Sequence, residues 1–365
     1  MQNQKETEIP TLKGEEKAKK PSGAGKVLNY AVRYLVPLAF TVGLVWYMFS
    51  HIDVEQMVDI IRHGVNYWWI LFAMVLSVFS HIIRAARWNI QLRALGIKAP
   101  FMALCCSIFG TYALNLVFPR LGEIWRCAYV SKREHASFST VVGSMVGDRL
   151  SDTLMVLLIT FFTFFAARNG MTAFMTKYKI GQDTLALLVN PLFWLVLCAC
   201  GAAVWALFHF GKGKIITAIK KQAIKLWQGF IVIGTMKGKW KFIILTLMLW
   251  SCYYFQLYVA FFAFSFTADL CSQPSLAFGL IPCLVAFVLS SIGMAIPSNG
   301  GLGPWNIAVA FGLAIYGIAE TEGTTFSILV WSAQTVMLIL LGIFTMVYIS
   351  VNKPRGMSAD KLSNS

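Results

Sequence analysis

Six ionisable residues in two short segments, 120–126 and 148–152, are the strongest candidates for chemistry in this chain. They are Arg120, Glu123, Arg126, Asp148, Arg149 and Asp152, and each lies close to strongly apolar sequence. An ionisable group at membrane depth costs roughly 2.5–3.5 kcal/mol, so such groups usually pair inside a helix bundle or face a watery cavity. The guanidinium fork of arginine matches phosphate oxygens. We therefore predict a polar site that binds a phosphate group.

The spacing of these residues suggests a role for each of them. Arg120, Arg126 and Arg149 are predicted to hold the phosphate, while Glu123 and Asp148 hold the arginines when the site is empty. Asp148 and Asp152 are four residues apart on one helix face. Arg149 comes three residues before Asp152, which is close enough for the two to pair.

The composition of the chain identifies the environment of this site. Of the 365 residues, 58% are hydrophobic and only 13% are charged, which is more apolar side chain than a soluble domain of this size can bury. We predict an all-α, polytopic membrane helix bundle with about six to eight spans. The 31 basic residues against 16 acidic ones lie mainly beside apolar runs. Positive-inside topology explains this charge better than nucleic-acid binding, which we exclude.

Several classes of enzyme find no support in the sequence. The eight cysteines show no CxxC spacing, the five histidines are isolated, and there is no HExxH or ATP-binding motif. We therefore predict no metal, no cofactor and no catalytic residue. A membrane-embedded lipid-modifying enzyme stays open as an alternative, with Glu123 and Asp148 as its only attractive acid or base groups.

The chain divides into one membrane domain and two tails. Residues 1–30 are polar and are predicted to form a disordered cytoplasmic tail, and residues 351–365 a second cytoplasmic tail. Residues 31–350 form a single transmembrane domain. Within it, residues 212–232 place apolar side chains at helical spacing opposite lysines, a pattern typical of a basic helix lying in the membrane interface.

A first re-entrant hairpin is predicted around the apolar stretch 101–118. Basic residues flank this stretch on both sides, so it must enter and leave the membrane on the same face. Gly110 is the predicted apex, and Pro119 breaks the returning arm. On a helix, residues 120, 123 and 126 share one face, which would put the carboxylate of Glu123 between two guanidinium groups. An ordinary pair of helices joined by a tight turn is the alternative.

A second broken or re-entrant hairpin is predicted around the loop PSNGGLGPWN at 297–306. Its two apolar arms begin and end on the face opposite to the first hairpin. Two irregular segments entering from opposite faces favour an inverted-repeat transporter with a site near the midplane. Gly300 and Gly301 would allow close backbone approach to a ligand, although they would also suit a plain turn.

Arg84 and Arg87 follow the predicted span 67–83 and share a helix face. Either residue could be a positive-inside anchor or part of the site. We interpret Arg87 as an anchor and keep Arg84 among the candidate site residues.

Four sequence segments together resemble a known membrane family. These are RAARW, GTYALNLVFPRLGEIWRCAYV, GDRLSD and PSNGGLGPWN. They are similar to the transmembrane domain of the lysylphosphatidylglycerol synthase, or flippase-like, family over about residues 30–350. The resemblance points to these positions: Asn115, Pro119, Arg120, Gly122, Glu123, Arg126, Asp148, Arg149, Asp152, Pro297, Gly300, Gly301 and Gly303. Asn299 and Asn306 stand where many relatives have Pro and Glu, so the role of that glutamate does not transfer.

The resemblance implies a function as well as a fold. Members resemble the lipid-flipping half of bacterial aminoacyl-phospholipid proteins, whose aminoacyl transfer belongs to a separate soluble domain. We therefore expect a flippase-like transporter of an anionic or phosphate-bearing lipid in a bacterial-type inner membrane, with both termini cytoplasmic. The alternatives are a membrane-embedded lipid-modifying enzyme and a scaffold that recruits such an enzyme as a partner. The predicted substrate-binding residues are Arg84, Asn115, Arg120, Glu123, Arg126, Asp148, Arg149, Asp152, Gly300, Gly301 and Asn306.

Overall fold

The protein is a bundle of α-helices. The structure, a computed structural model, describes residues 41–50, 52–168, 238–296 and 298–352, together with the single positions Ala39, Thr172 and Leu195. The helices in these ranges are α1 (Thr41–Ser50), α2 (Val54–His63), α3 (Tyr67–Ala94), α4 (Phe101–Val117), α5 (Leu121–Arg133), α6 (Phe138–Ala166), α7 (Lys239–Phe261), α8 (Ser265–Cys271), α9 (Leu280–Gly293), α10 (Pro304–Ala314) and α11 (Glu320–Val351).

Five helical segments in the described ranges are long and apolar enough to cross a membrane. They are α3, α6, α7, α11 and the segment Pro274–Gly293, which includes α9. The predicted all-α polytopic membrane bundle is confirmed. The predicted interfacial helix at 212–232, the predicted tail at 1–30 and Pro297 lie outside the described residues. Of the predicted tail at 351–365, only residues 351 and 352 are described, and α11 continues to Val351.

The two ends of the bundle differ in charge. At one end, residues 95–98 and 134–137 line a shared cleft, and Arg133 donates to the carbonyl of Asn352. We call this the basic end, because it carries Arg93, Lys98, Lys132, Arg133, Lys239 and Lys241.

At the opposite end, the amide of Asn66 donates to the carbonyl of Ala263, and the amide of Asp53 donates to the hydroxyl of Thr321. We call this the acidic end, because it carries Asp53, Glu55, Asp59, Asp269, Glu320 and Glu322.

Side-chain caps begin several helices at the acidic end. Asp53 accepts from the amide of Gln56 at the start of α2, and Asn66 accepts from the amide of Trp68 at the start of α3. These caps satisfy amides that have no partner within the helix. They therefore favour helix starts at positions where the apolar sequence meets water.

The first predicted hairpin is present, but its apex is not at Gly110. Helix α4 continues through Gly110, and the chain turns at residues 118–120, beside Pro119, before α5 returns to the basic end. Gly110 serves helix packing instead, because a side chain there would collide with the ring of Trp125 on α5. Gly122 likewise lies against the backbone of Thr111. Gly110 therefore allows close contact between α4 and α5, and it does not form the turn between them.

The second hairpin is formed by α9 and α10 and opens toward the acidic end. Its turn meets the turn of the first hairpin. Asn299 donates to the carbonyl of Val117 at 3.0 Å, and Arg120 donates to the carbonyl of Ala295 at 3.4 Å. Gly300 has a φ of 60°, and any side chain there would collide with Leu116. The two hairpins, entered from opposite ends, therefore touch at their tips.

The second half of the chain repeats the element order of the first half in the opposite direction. A long helix, a hairpin and a second long helix occur in this order as α3, α4–α5 and α6, and again as α7, α9–α10 and α11, with the short helix α8 added between α7 and α9. The packing is also reciprocal. The two first helices, α3 and α7, pack against each other, α4 packs on α11, and α9 packs on α6. This is the arrangement expected of an inverted repeat.

Substitution of Gly122 tests the close packing of α4 on α5. Gly122→Ala should destabilise the protein by about 1–3 kcal/mol, the usual cost of overpacking, because the added carbon would meet the carbonyl of Thr111. Gly143→Ala on α6 is the matched control, since it has open space around it and should gain up to about 1 kcal/mol. Thermal unfolding in detergent measures both. Equal unfolding temperatures would contradict this packing.

Candidate functional site

A network of buried charges joins α3, α5 and α6 inside the bundle. Asp148 on α6 is its centre and is fully buried. One carboxylate oxygen of Asp148 accepts from Nε and Nη2 of Arg87, at 3.0 and 2.5 Å. The other accepts from Arg84 at 3.3 Å and from Arg126 at 3.5 Å. Three guanidinium groups from two helices therefore converge on one carboxylate.

A second carboxylate extends the network toward its open edge. Asp152, one helical turn after Asp148, accepts from Arg84 and Arg87 at 2.8 Å each. Arg149 lies 3.6 Å from the same carboxylate and forms an ion pair with Glu123 of α5. The side chain of Arg149 is 35% exposed and that of Glu123 is 22% exposed. The network is thus closed around Asp148 and open around Arg149.

Aromatic rings cover the buried guanidinium groups. The guanidinium carbon of Arg126 lies 4.6 Å from the ring centre of Trp88, and that of Arg84 lies 5.8 Å from the ring of Tyr253. The hydroxyl of Tyr253 also accepts a hydrogen bond from Nε of Arg84 at 3.1 Å. Such contacts attract a cation to the ring face while excluding water. They keep the arginines oriented toward the carboxylates.

The network contains more positive than negative charge. Four guanidinium groups, of Arg84, Arg87, Arg126 and Arg149, face three carboxylates, which leaves one positive charge uncompensated within it. Among the described residues, Nη1 of Arg87, Nε of Arg126 and Nε of Arg149 are buried without a hydrogen-bond partner. An anion that only accepts hydrogen bonds would complement both the charge and the free N–H groups.

Six of the predicted site residues come together in this network. They are Arg84, Glu123, Arg126, Asp148, Arg149 and Asp152. The predicted pairing of Arg149 with Asp152 is present. The predicted position of Glu123 between two arginines of its own helix is wrong, because Glu123 pairs with Arg149 across to α6.

Arg120 lies at the hairpin tip and outside the ion-pair network. Helix α5 begins only at Leu121, and Arg120 adopts a left-handed backbone conformation with a φ of 64°. Helical spacing therefore does not extend to Arg120. Its side chain is exposed and reaches the carbonyl of Ala295 in the second hairpin.

The other predicted site residues lie at the hairpin turns and hold their backbone. The side chain of Asn115 accepts from the amide of Gly122 at 2.9 Å. The carbonyl of Gly300 accepts from the indole of Trp331 at 2.9 Å, and Gly301 is buried in the same turn. Asn306, also buried, accepts from the amide of Gly303 and so begins α10. These residues shape the tips, and a direct contact with substrate stays a prediction.

Two members of the site were missed from the sequence. The interpretation of Arg87 as a membrane anchor is wrong, because Arg87 is fully buried and pairs with both aspartates. The error came from ending the span at Ile83, whereas α3 runs to Ala94 and keeps Arg84 and Arg87 inside the bundle. Their shared helix face was the available signal. Tyr253 had no sequence signal beyond its place in a polar, aromatic part of α7.

Removal of the central carboxylate tests the energetics of the network. Asp148→Asn should destabilise the protein by about 3–5 kcal/mol, because three buried guanidinium groups lose their shared partner. Glu123→Gln is the matched control and should cost much less, since Glu123 lies at the open edge and pairs with Arg149. Thermal unfolding in detergent compares the two. A similar loss of stability in both variants would contradict the conclusion that the burial of Asp148 makes its ion pairs essential for stability.

Comparison with known proteins identifies the family. The family model for the lysylphosphatidylglycerol synthase transmembrane region matches residues 34–342. A UPF0104 membrane protein of Methanocaldococcus jannaschii is 21% identical over 140 residues, which are 38% of this chain and only 40% of that relative. No solved structure matches the chain. Because the family model covers most of its length, this multi-pass membrane protein belongs to the lysylphosphatidylglycerol synthase transmembrane region family.

Proposed function

We propose that this protein is a flippase-like transporter of an anionic, phosphate-bearing lipid and is not itself an enzyme. The observation that carries the proposal is the surplus positive charge of the network, together with the partial exposure of Arg149 at its open edge. A lipid phosphate supplies negative charge and acceptor oxygens at once. The family membership supports a role in the membrane.

The burial of each arginine suggests a division of labour. Arg149, at the open edge, and Arg120, at the exposed hairpin tip, are accessible to a lipid phosphate. Arg87 and Arg126 are fully buried around Asp148, so they act as positioning residues. Glu123 pairs with Arg149 while no lipid is bound. The phosphate then takes the place of this carboxylate, and the exchange keeps the guanidinium group paired throughout.

The two hairpins supply a route through the bundle. They enter from opposite ends and meet near its middle, which is how many transporters place a substrate site between inverted repeats. Among the described residues, their tips are joined by side-chain donors to backbone carbonyls, from Asn299 to Val117 and from Arg120 to Ala295. If these bonds break, movement of one hairpin away from the other would open the site to the leaflet on that hairpin's side. The sequence has no ATP-binding motif, so transport would use an ion gradient, a lipid gradient or no driving force beyond the lipid itself.

The charge distribution of the two ends supports one orientation in the membrane. Cytoplasmic loops of membrane proteins carry an excess of Lys and Arg, so the basic end faces the cytoplasm. Helix α11 finishes at this end, beside Arg133, which supports our proposal of a cytoplasmic C-terminal tail. We place the N-terminus there as well, and the protein in a bacterial-type inner membrane.

Lipid transport by arginine variants tests the proposal. Arg149→Gln and Arg120→Gln should each slow transport about tenfold or more, because a charge-assisted hydrogen bond to phosphate contributes roughly 1.5–3 kcal/mol. The measurement is the movement of fluorescent phosphatidylglycerol between leaflets of proteoliposomes. Arg93→Gln is the matched control, since Arg93 is exposed at the basic end and outside the network. It should transport at the wild-type rate.

The same assay separates the proposed function from its rivals. Mass spectrometry of the recovered lipid should show no chemical change, and an altered lipid would indicate a membrane-embedded enzyme. Absence of movement in the wild type, with retained binding of a lipid-modifying enzyme, would indicate a scaffold. Wild-type transport by both arginine variants would remove the assignment of Arg120 and Arg149.

A further inference from the structure

A buried histidine beside the charge network has no hydrogen-bond partner among the described residues. His81 on α3 is only 3% exposed, and both of its ring nitrogens lack a partner. It lies one helical turn before Arg84, and its ring centre lies 4.5 Å from that of Tyr112 on α4. The ion pairs of the network do not include His81. An ionisable side chain inside a membrane bundle often belongs to a proton pathway, and charge pairing does not explain this one.

The groups around His81 oppose a positive charge on its ring while no lipid is bound. Arg84 on the same helix face repels a second cation, and burial removes the water that would solvate it. From α11, the amide of Gln334 bonds Ser77, one turn before His81. The other helices packed on this part of α3 present these titratable groups: Tyr112 on α4, Tyr253 on α7, and Asp148 and Asp152 on α6. Both aspartates are already paired with arginine, so neither carboxylate is left to stabilise an imidazolium.

A bound lipid phosphate changes this balance of charge. Four guanidinium groups face three carboxylates in the empty network, and a phosphodiester brings one negative charge that offsets the surplus. Arg84 connects the two places, because it bonds Asp152 near the open edge and lies one turn from His81. Phosphate binding therefore lowers the electrostatic cost of a proton on the imidazole. By linkage the effect is reciprocal, so the proton also strengthens the binding of the phosphate.

We propose that His81 takes up one proton when the lipid phosphate binds and releases it when the lipid leaves, so that the protein cotransports the lipid with a proton. The proposal rests on the proposed function, because the phosphate that favours the proton lies against the arginine network. The proton comes from water on one side of the membrane and returns to water on the other, and no bond of the lipid changes. The pair of phosphodiester and proton carries no net charge. The membrane potential therefore does not oppose its movement, and a proton gradient drives it.

Glu123 is the competing site for this proton. Its carboxylate loses Arg149 when the phosphate takes its place, and a carboxylate without a cation binds a proton more readily. The two groups differ in solvation, since Glu123 is 22% exposed whereas His81 is buried. A hydrated carboxylate is ordinarily ionised at about pH 6, whereas an imidazole changes its charge between about pH 5 and 8. These properties favour His81, and variants of both residues distinguish the two sites.

Proton uptake on lipid binding tests the proposal without requiring transport. Short-chain phosphatidylglycerol is added to the full-length protein in detergent, in weakly buffered solution at about pH 6, and an indicator dye reports the protons taken up. We expect up to about one proton per bound lipid, and a lipid affinity that rises about tenfold from about pH 8 to about pH 6. Binding without proton uptake would overturn the proposal and leave the phosphate site standing. Absence of binding would refute the proposed function itself.

Variants connect the proton with this side chain. His81→Phe keeps a ring against Tyr112, and His81→Gln keeps a polar group, but neither can take a proton. Both should bind phosphatidylglycerol with no proton uptake and with an affinity independent of pH, whereas a merely structural role would leave the pH dependence in place. His63→Gln is the matched control, since His63 is 75% exposed on α2, and it should keep the uptake. Loss of uptake in Glu123→Gln, with uptake retained in both His81 variants, would assign the proton to Glu123 and overturn the role of His81.

A pH gradient across proteoliposomes tests the coupling during transport. The wild type should accumulate fluorescent phosphatidylglycerol in the leaflet on the alkaline side, because the proton carries the lipid down its own gradient. A protonophore should abolish the accumulation, and vesicles without protein correct for spontaneous movement. Transport that does not respond to the gradient would overturn the coupling and leave the flippase function standing.

Discussion

The neutralisation of charge inside an apolar bundle is the constraint on which this structure depends. Asp148 has no contact with solvent, and its carboxylate is bonded by arginines from α3 and α5. A buried carboxylate without partners would be too costly, and so would the buried guanidinium groups alone. The carboxylate of Asp148 and its arginine partners can pair only if α3, α5 and α6 pack with these residues at the same level. The polar network thereby fixes the geometry of the first half of the bundle, while apolar packing supplies the bulk of its contacts.

A second constraint comes from backbone that is irregular inside the membrane domain. Both hairpins turn between the two ends of the bundle, and backbone groups at membrane depth must find partners in the protein. Asn115, Asn299 and Trp331 provide such partners, each bonding an amide or carbonyl at the turns. The glycines complete the arrangement, since Gly122 and Gly300 occupy positions that leave no room for a side chain. The tips are consequently defined structures, positioned beside the open edge of the charge network.

The same network connects stability with function. Its closed side, around Asp148, is fully paired in carboxylate oxygens, whereas its open side leaves Arg149 accessible and the total charge positive. The paired, buried groups and the accessible guanidinium group thus lie at opposite sides of one cluster of side chains.

The sequence by itself determined the environment, the helices and most of the site, because composition and helical spacing are local properties. The apolar content predicted a membrane bundle. Residue spacing predicted a common face for Asp148 and Asp152 and the pairing of Arg149 with Asp152. Flanking charge predicted both hairpins. Tertiary structure alone decided which groups meet across helices: Glu123 pairs with Arg149 and not with its own helix, Arg87 is buried and not an anchor, and Gly110 is a packing contact and not an apex. The physical reason is that partners in a bundle are chosen by the crossing of helices, and no spacing within a single helix encodes where another helix will cross it.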